Sequence, residues 1–255
     1  MTQPVFSGVG VALVTLFDED GSLDAKATAG LASSLVEAGM AAVVVAGTTG
    51  EAASLSLAER SELIRAVREV LPTGVAVIAG TGAPSRRDAV SFTSAACDEG
   101  VDAVLALSLP GVADLPAYYA ALARAAGSVP LLAYHYPNVS APGIPLAVLR
   151  DLPVQGAKDS SGDPDRLLET VTTWDQPLYT GSAALLALAG PLGCAGAILA
   201  LANAEPEDCV AAFGGDAAAQ RRLASANQAA KASFPSGIKN LTAARYGTSA
   251  VCRMG

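Results

Sequence analysis

The stretch VPLLAYHYPNVSAPGIPLAVLRDLPVQGAKDSSGD, residues 129–163, decides the fold. It holds two short, largely apolar runs, 129–134 and 154–158, and the connection between them is long enough for a crossover. Runs that do not alternate between apolar and polar residues are typical of parallel strands covered on both faces. The stretch therefore predicts two adjacent parallel strands, one ending at Tyr134 and the other at Lys158.

The same pattern extends outward in both directions along the chain. Six further runs predict strands over residues 9–14, 42–46, 75–79, 103–107, 178–180 and 196–199. Helical patterning between the runs is clearest at residues 24–38, 57–70, 85–99 and 165–173. Eight βα units in succession favour an α/β fold of the closed (β/α)₈ TIM-barrel type.

The barrel is expected to occupy residues 1–204, and residues 205–255 are expected to add two or three helices that pack on it within a single domain. The alternative architecture is an open doubly wound sheet, which usually carries G-x-G-x-x-G directly after its first strand. Residues 15–18, TLFD, stand in that place, and the GTG at residues 80–82 is weak evidence for a nucleotide-binding loop. The barrel is therefore favoured.

Composition excludes several classes of protein. With 51% hydrophobic and 16% charged residues, the chain can bury a large core and is not a disordered protein. Its 24 acidic and 16 basic residues give a net charge of -8, the wrong sign for binding nucleic acid or an anionic membrane surface. The apolar runs are far shorter than the roughly 20 residues of a membrane-spanning helix. Because the first residues also lack the basic region of a signal peptide, a cytoplasmic protein is expected.

Metal and disulfide chemistry are not expected either. No C-x-x-C spacing joins the four cysteines, which are Cys97, Cys194, Cys209 and Cys252. No cluster of carboxylates or histidines suited to a metal stands at the predicted strand ends. We therefore predict reduced thiols and no metal ion in the site.

Lysine is scarce in this chain, and one lysine occupies a chemically suggestive place. Of four lysines, Lys26, Lys231 and Lys239 lie in helices or surface segments, whereas Lys158 closes a predicted strand. The active site of a barrel lies at the carboxyl ends of its strands. Desolvation there would lower the lysine pKa and free the amine for Schiff-base formation with a carbonyl substrate. The alternative is a structural ion pair between Lys158 and an acid such as Asp159.

The preceding strand ends on Tyr134, whose phenol should face the same space as the Lys158 amine. A tyrosine beside an imine-forming lysine can move protons as carbinolamine becomes imine. Taken alone, Tyr134 is more typical of a half-buried aromatic residue with a satisfied hydroxyl. Alternation along the strand turns His135 outward, which favours a structural role for it.

The predicted second strand is followed by GTTGE, residues 47–51. Glycines permit a tight loop whose backbone N–H groups can hold a carboxylate, and the hydroxyls of Thr48 and Thr49 can bind substrate or relay a proton. As a bare pattern the segment could be only a turn with a helix cap. Its place at the mouth of the barrel favours a functional role.

Four ordered motifs together resemble the dihydrodipicolinate synthase and N-acetylneuraminate lyase family: GVALVTLFDEDGSLD at 10–24, GTTGE at 47–51, YHYP at 134–137 and GAKDSSGD at 156–163. The resemblance spans residues 6 to about 250. It implies a pyruvate-dependent class I aldolase on a (β/α)₈ barrel. Such a protein is a homo-oligomer, a dimer or tetramer, that acts on pyruvate or another 2-keto acid and a small aldehyde without metal or organic cofactor.

The resemblance also implies roles for individual residues. Lys158 would be the Schiff-base lysine, Tyr134 the proton-shuttling tyrosine and Thr48 a third catalytic group. The expected substrate-binding residues are Thr49, Gly47, Gly181 and Ile198.

Three departures from the family pattern bear on the substrate. Val139 stands where the synthases carry an arginine for the second substrate's carboxylate, and SLPGV from Ser108 replaces their Tyr-Tyr pair. Ala183 and Ala184 replace the acidic clamp of the sialic acid lyases. With Ala200, these residues predict an outer pocket less polar than that of the relatives.

The motif Tyr134-His135-Tyr136-Pro137 is similar to that of the 2-keto-3-deoxy sugar acid aldolases, which is the activity we expect. The alternatives are a 4-hydroxy-tetrahydrodipicolinate synthase and a family member that binds a ligand without turning it over.

Overall fold

The computed structural model describes residues 3–111 and 114–254. Its eight parallel strands each pair with the next, and the last pairs with the first, so the sheet closes into a barrel. The strands are β1 Gly8–Ala12, β2 Ala42–Val45, β3 Ala76–Gly80, β4 Ala103–Leu107, β5 Leu131–His135, β6 Gly156–Asp159, β7 Leu178–Thr180 and β8 Gly196–Leu199. The predicted (β/α)₈ barrel is confirmed.

The predicted strand ends differ most from the observed ones at β1, β5 and β6. Pairing of β1 ends at Ala12 although the apolar run continues, because the N–H of Val14 donates to the Asn203 side chain (3.1 Å) and not to a neighbouring strand. At β5 and β6 the ladder begins at Leu131 and Gly156, in each case two residues later than predicted. The apolar run thus continues beyond the paired strand at β1, and it begins before the paired strand at β5 and β6.

Helices connect the strands and cover the outside of the barrel. They are α1 Ala25–Glu37, α2 Leu57–Val70, α3 Arg86–Asp98, α4 Leu115–Ala126, α5 Leu146–Leu149, α6 Pro164–Thr173, α7 Leu186–Ala189, α8 Pro206–Phe213, α9 Ala217–Ala232 and α10 Ser236–Tyr246. Local sequence fixes where several begin. Ser56 and Glu59 form a reciprocal capping box at α2, and the Asp163 carboxylate caps α6 just beyond the end of β6. No helix in the described ranges has the length and apolar content needed to cross a membrane.

Two apolar layers stabilise the barrel. The larger lies between the strands and the surrounding helices, and the smaller fills the barrel interior. At the closed end of the interior, the Phe6 and Tyr179 rings stack with centroids 4.7 Å apart, and the Tyr179 hydroxyl donates to the Phe6 carbonyl (3.1 Å). The opposite end of the interior, at the carboxyl ends of the strands, is open and is lined by polar residues.

Strand register determines which side chains meet at that open end. Tyr134 on β5 is aligned with Lys158 on β6, and His135 with Asp159 one residue further on. Aligned residues of parallel neighbours point to the same face of the sheet, and successive residues point to opposite faces. Tyr134 and Lys158 consequently share the interior, whereas His135 and Asp159 point toward the helices.

Candidate active site

Lys158 lies at the mouth of the barrel with 5% of its surface exposed. Its Nζ atom is 4.3 Å from the centroid of the Tyr134 ring. Burial lowers the pKa of Lys158 to about 7 from its usual value near 10.5. Among the described residues no carboxylate forms an ion pair with it. A substantial fraction of the amine is therefore neutral at physiological pH, and the neutral amine is the form that attacks a carbonyl.

The neighbouring acid does not pair with this lysine. Asp159 points away from the interior and forms an ion pair with Arg166 of α6 at 2.6 Å. His135, also on the outward face, accepts a hydrogen bond at Nδ1 from the Ile144 N–H (2.8 Å). Both side chains thus fix the loops behind the site, as strand alternation predicts for His135, and the structural ion pair considered for Lys158 is not formed.

The Tyr134 hydroxyl is close to two other hydroxyl groups. It is 3.5 Å from the Ser160 Oγ, and the side chain of Thr48 also contacts it. Burial raises the pKa of Tyr134 to about 12, and the hydrogen bonds from Ser160 and Thr48 oppose this rise only in part. The phenol therefore remains protonated near neutral pH and can both give and receive a proton within a hydroxyl cluster.

The loop after β2 presents free backbone donors to the same space. The N–H groups of Thr48 and Thr49 form no hydrogen bond to any described residue. Ala46 and Glu51, on either side of the turn, both adopt left-handed conformations, with φ of 51° and 55°. Unpaired successive N–H groups in a loop of this kind form a concave site for an anion. The turn is held from below by the Thr15 hydroxyl, which donates to the Gly50 carbonyl at 2.7 Å.

Gly181, directly after β7, provides room for the lysine. A methyl group on its Cα would overlap the Ser160 Oγ and lie 2.9 Å from the Lys158 Cε. Real Cβ atoms are not found that close to neighbouring atoms. The absence of a side chain at Gly181 is thus needed for Lys158 and Ser160 to occupy their observed positions.

These residues enclose one cavity of about 150 Å³. This volume is below the roughly 300 Å³ at which pockets for drug-sized ligands begin, so the cavity suits a small molecule. Of the residues expected from the sequence, it is lined by Thr48, Thr49, Tyr134, Lys158, Gly181 and Ile198, whereas Gly47 is not among its lining residues. No metal-binding group of three or more His, Cys, Asp or Glu residues occurs in the part of the chain that the structure describes.

The outer part of the cavity differs from the apolar wall expected from the sequence. Ala183 and Ala200 do line it, but Val139 and Ala184 do not. Polar groups come from the loop after β5, the loops after β6 and β7, and helix α9, namely Asn138, Ser160, Ser161, Ser182, Asn227 and Lys231. Helix α9, which follows the last strand, thus brings polar groups to the cavity that the motif positions do not indicate.

A buried ion pair that sequence reasoning missed supports the loop of the site. The Lys239 Nζ of α10 lies 2.5 Å from the Glu51 Oε1, and both side chains are completely buried. Lys239 also donates to the Val251 carbonyl (2.6 Å) and lies 4.3 Å from the centroid of the Phe17 ring. The sequence placed Lys239 among helical or surface lysines; it is helical, but the described structure buries it fully.

Residues 251–254 form hydrogen bonds with both members of this ion pair. The Glu51 Oε2 accepts hydrogen bonds from the backbone N–H groups of Arg253 and Met254, each at 2.8 Å. The Arg253 guanidinium forms an ion pair with Glu59 of α2 at 2.6 Å, and this contact lowers the pKa of Glu59 to about 2. The left-handed backbone at Glu51 is therefore held by contacts from the far end of the chain.

Comparison with known proteins identifies the family of this chain. Residues 5–243 match the dihydrodipicolinate synthetase family. A 4-hydroxy-tetrahydrodipicolinate synthase from Pseudomonas aeruginosa is 35% identical over 233 residues, which cover 86% of this chain and 80% of the relative. An uncharacterized DapA-like lyase from Chloroflexus aurantiacus is 36% identical over 246 residues, covering 88% and 80% of the two chains.

Solved structures with the same fold include a dihydrodipicolinate synthase from Bacillus anthracis, with a TM-score of 0.85 and 25% identity over 100% of this chain and 93% of that one. A dihydrodipicolinate synthase from Acinetobacter baumannii, solved with pyruvate, has a TM-score of 0.86 and 28% identity over 98% and 94%. The chain belongs to the dihydrodipicolinate synthetase family, and it is an enzyme of this aldolase and lyase group. The resemblance stated from the motifs is confirmed.

Proposed function

We propose that this enzyme holds pyruvate or a closely related 2-keto acid as an imine on Lys158 and catalyses reversible aldol condensation with an aldehyde. The observation that carries the proposal is the buried Lys158 amine, which has no carboxylate partner in the described chain and lies against the Tyr134 ring. An amine in that setting is a nucleophile near neutral pH. The related dihydrodipicolinate synthase from Acinetobacter baumannii was solved in complex with pyruvate, which supports this choice of keto acid.

The steps follow from the positions of the groups. The Lys158 nitrogen adds to the ketone carbon, and the resulting carbinolamine loses water to give the imine. Loss of a proton from the methyl group gives an enamine, whose carbon attacks the aldehyde carbon. The aldehyde oxygen takes up a proton, and water then releases the product and the free lysine.

Each neighbouring group has a part in this sequence. Tyr134, in contact with the Thr48 and Ser160 hydroxyls, carries protons to and from the carbinolamine oxygen. The free N–H groups of Thr48 and Thr49 bind the keto acid's carboxylate. Gly181 leaves room for the imine, and Ile198 forms an apolar wall.

Borohydride trapping tests the proposal. With pyruvate and borohydride, the intact mass of the protein should rise by one reduced pyruvyl group, and peptide mapping should place that group on Lys158. Lys158→Ala should give no adduct, whereas the matched variant Lys26→Ala, altered on the exposed surface of α1, should label like the wild type. No adduct on the wild type, or equal labelling of Lys158→Ala, would refute the imine mechanism.

The rate of trapping should depend on pH in a specific way. Only the neutral amine attacks pyruvate, and burial places the pKa of Lys158 at about 7. Below that pH the rate should fall about tenfold for each unit, and above it the rate should level off. Adduct formation measured between about pH 5.5 and 9.5 at fixed pyruvate checks this. A rate still rising steeply toward pH 10 would show that the lysine is not desolvated.

A second candidate function is 4-hydroxy-tetrahydrodipicolinate synthase, the activity named for the relative from Pseudomonas aeruginosa. It differs from the first only in the aldehyde, which would be aspartate semialdehyde, and product analysis with that aldehyde distinguishes the two. The alternative of a ligand-binding protein without turnover receives no support from relatives named as synthases and lyases. A homo-oligomer, which the family resemblance implies, stays a prediction that light scattering can check.

A further inference from the structure

The outer wall of the cavity carries a positive charge that the imine chemistry does not use. Among the described residues lining the cavity, Lys231 is the cationic side chain besides Lys158, whose amine is neutral in a substantial fraction of the molecules, and no aspartate or glutamate lines it. The whole chain, by contrast, has a net charge of -8. A cavity that presents Lys231 and no acid in so acidic a protein will attract anions more strongly than the surrounding surface does.

The position of Lys231 on its helix aims it at the cavity together with a polar neighbour. Lys231 lies near the end of α9 and Asn227 lies one turn before it, so both occupy the same face of the helix. Ala230, between them, and Phe234, beyond the helix end, line the cavity as well. No ion pair joins Lys231 to any residue in the described ranges. The ammonium group is thus available to a ligand.

The other polar groups of the site already have partners in the proposed reaction. The Lys158 nitrogen is bonded to the keto acid in the imine, and the free N–H groups of Thr48 and Thr49 face its carboxylate. Lys231 and Asn227 have no role toward the keto acid, and they lie on the outer side of the cavity, from which the second substrate would enter. Their donors are suited to an anionic oxygen.

We propose that the aldehyde acceptor carries an anionic group, a carboxylate or a phosphate, and that Lys231 binds this group with the help of Asn227. The inference rests on the proposed function and adds the chemical class of the second substrate. Lys231 makes no covalent bond in the reaction. Its interaction with the acceptor orients the aldehyde carbon toward the enamine carbon, and the new carbon–carbon bond forms between those two atoms.

Paired acceptors that share a carbon skeleton and differ in the anionic group test the proposal. Succinate semialdehyde is compared with butyraldehyde, and glyceraldehyde 3-phosphate with glyceraldehyde, at saturating pyruvate. The wild type should have a higher kcat/KM for the anionic member of at least one pair, and the pair that shows the preference identifies the group as carboxylate or phosphate. Butyraldehyde and glyceraldehyde serve as neutral controls within each pair.

Variants then assign the preference to one side chain. Lys231→Met should lower kcat/KM for the preferred anionic acceptor by roughly 5- to 50-fold, as expected for loss of a charge pair partly exposed to water. Neutral acceptors should change by less than about twofold. Lys231→Arg should restore most of the loss, and added salt should reduce the difference between wild type and Lys231→Met. Lys26→Met makes the same chemical change on an exposed helix outside the cavity and should behave like the wild type.

Borohydride trapping with pyruvate alone tests the imine mechanism separately from the proposal of an anionic acceptor. Lys231→Met should trap pyruvate at the wild-type rate, because Lys231 does not contact the keto acid. If trapping succeeds but the wild type prefers neutral aldehydes, turns over none of the four, or loses charged and neutral substrates equally in Lys231→Met, the acceptor proposal is overturned while the imine mechanism stands. Failure of trapping in the wild type overturns the proposed function itself.

Discussion

Tyr134→Phe will form the pyruvate imine about 10²- to 10⁴-fold more slowly than the wild type, the usual range for losing general acid–base assistance. The phenol is in contact with both Thr48 and Ser160, and its ring centroid lies 4.3 Å from the Lys158 Nζ atom. Its ring will stay in place, since it stacks on Tyr136 with centroids 5.8 Å apart. Folding should therefore suffer little, with a loss of about 1 kcal/mol for one hydrogen-bonding hydroxyl.

The measurement is a quenched time course of borohydride-trapped adduct, together with denaturant unfolding of the same protein. Tyr118→Phe is the matched control, because its buried hydroxyl donates to the Leu107 carbonyl (3.1 Å) and Tyr118 is not among the described residues lining the cavity. It should lose a similar amount of stability and no rate. A native rate of adduct formation in Tyr134→Phe, with collapsed stability, would mean that Tyr134 is a structural residue.

Lys239→Met will lower the free energy of unfolding by about 3–5 kcal/mol, because it leaves the Glu51 carboxylate buried without its counter-charge. The methionine side chain has a similar length, so packing around Phe17 is largely kept. For a chain of this size the loss corresponds to a fall in Tm of roughly 6–20 °C. Loss of the ion pair also releases the turn that carries Thr48 and Thr49, so pyruvate should bind more weakly in the protein that remains folded.

Denaturant unfolding at neutral pH checks the size of this effect. Arg222→Met removes one partner of the exposed ion pair with Asp208 and should cost less than about 1 kcal/mol. Adding Glu51→Gln to Lys239→Met should recover part of the loss, since the buried negative charge is then gone. A Lys239→Met protein as stable as Arg222→Met would show that the buried pair contributes no more than a surface one.

The strand ends and the reacting pair were predictable because the signals are local. Apolar runs of the right length predicted both ends of β4, β7 and β8 to the residue. Because β5 and β6 belong to consecutive βα units, their carboxyl ends were expected side by side, and Tyr134 is indeed aligned with Lys158. Tyr134 and Lys158 stand at strand ends within one short stretch of chain. Alternation along the strand was enough to separate Tyr134 from His135, whereas the orientation of Asp159 away from Lys158 became evident only from the structure.

Features that depend on distant parts of the chain could not be predicted in this way. Lys239 has the sequence context of an ordinary helical lysine, and only the packing of α10 shows that it is buried against Glu51. Lys231 lies on a helix beyond the last strand, so a search of strand ends does not reach it. In both cases the chemistry depends on where a late helix packs, and local patterning carries no information about that.

The hydrogen bonds between Glu51 and residues 253 and 254 span 202 and 203 positions of the sequence. A ribosome adds about 5–20 residues each second, so the turn that holds Thr48 and Thr49 is synthesised well before the residues that support it. Until then the nascent barrel has a solvated carboxylate at Glu51 and a turn free to relax from its left-handed conformation. We therefore expect the turn at Thr48 and Thr49 to reach its observed conformation only after residues 253 and 254 have been synthesised and have packed against Glu51.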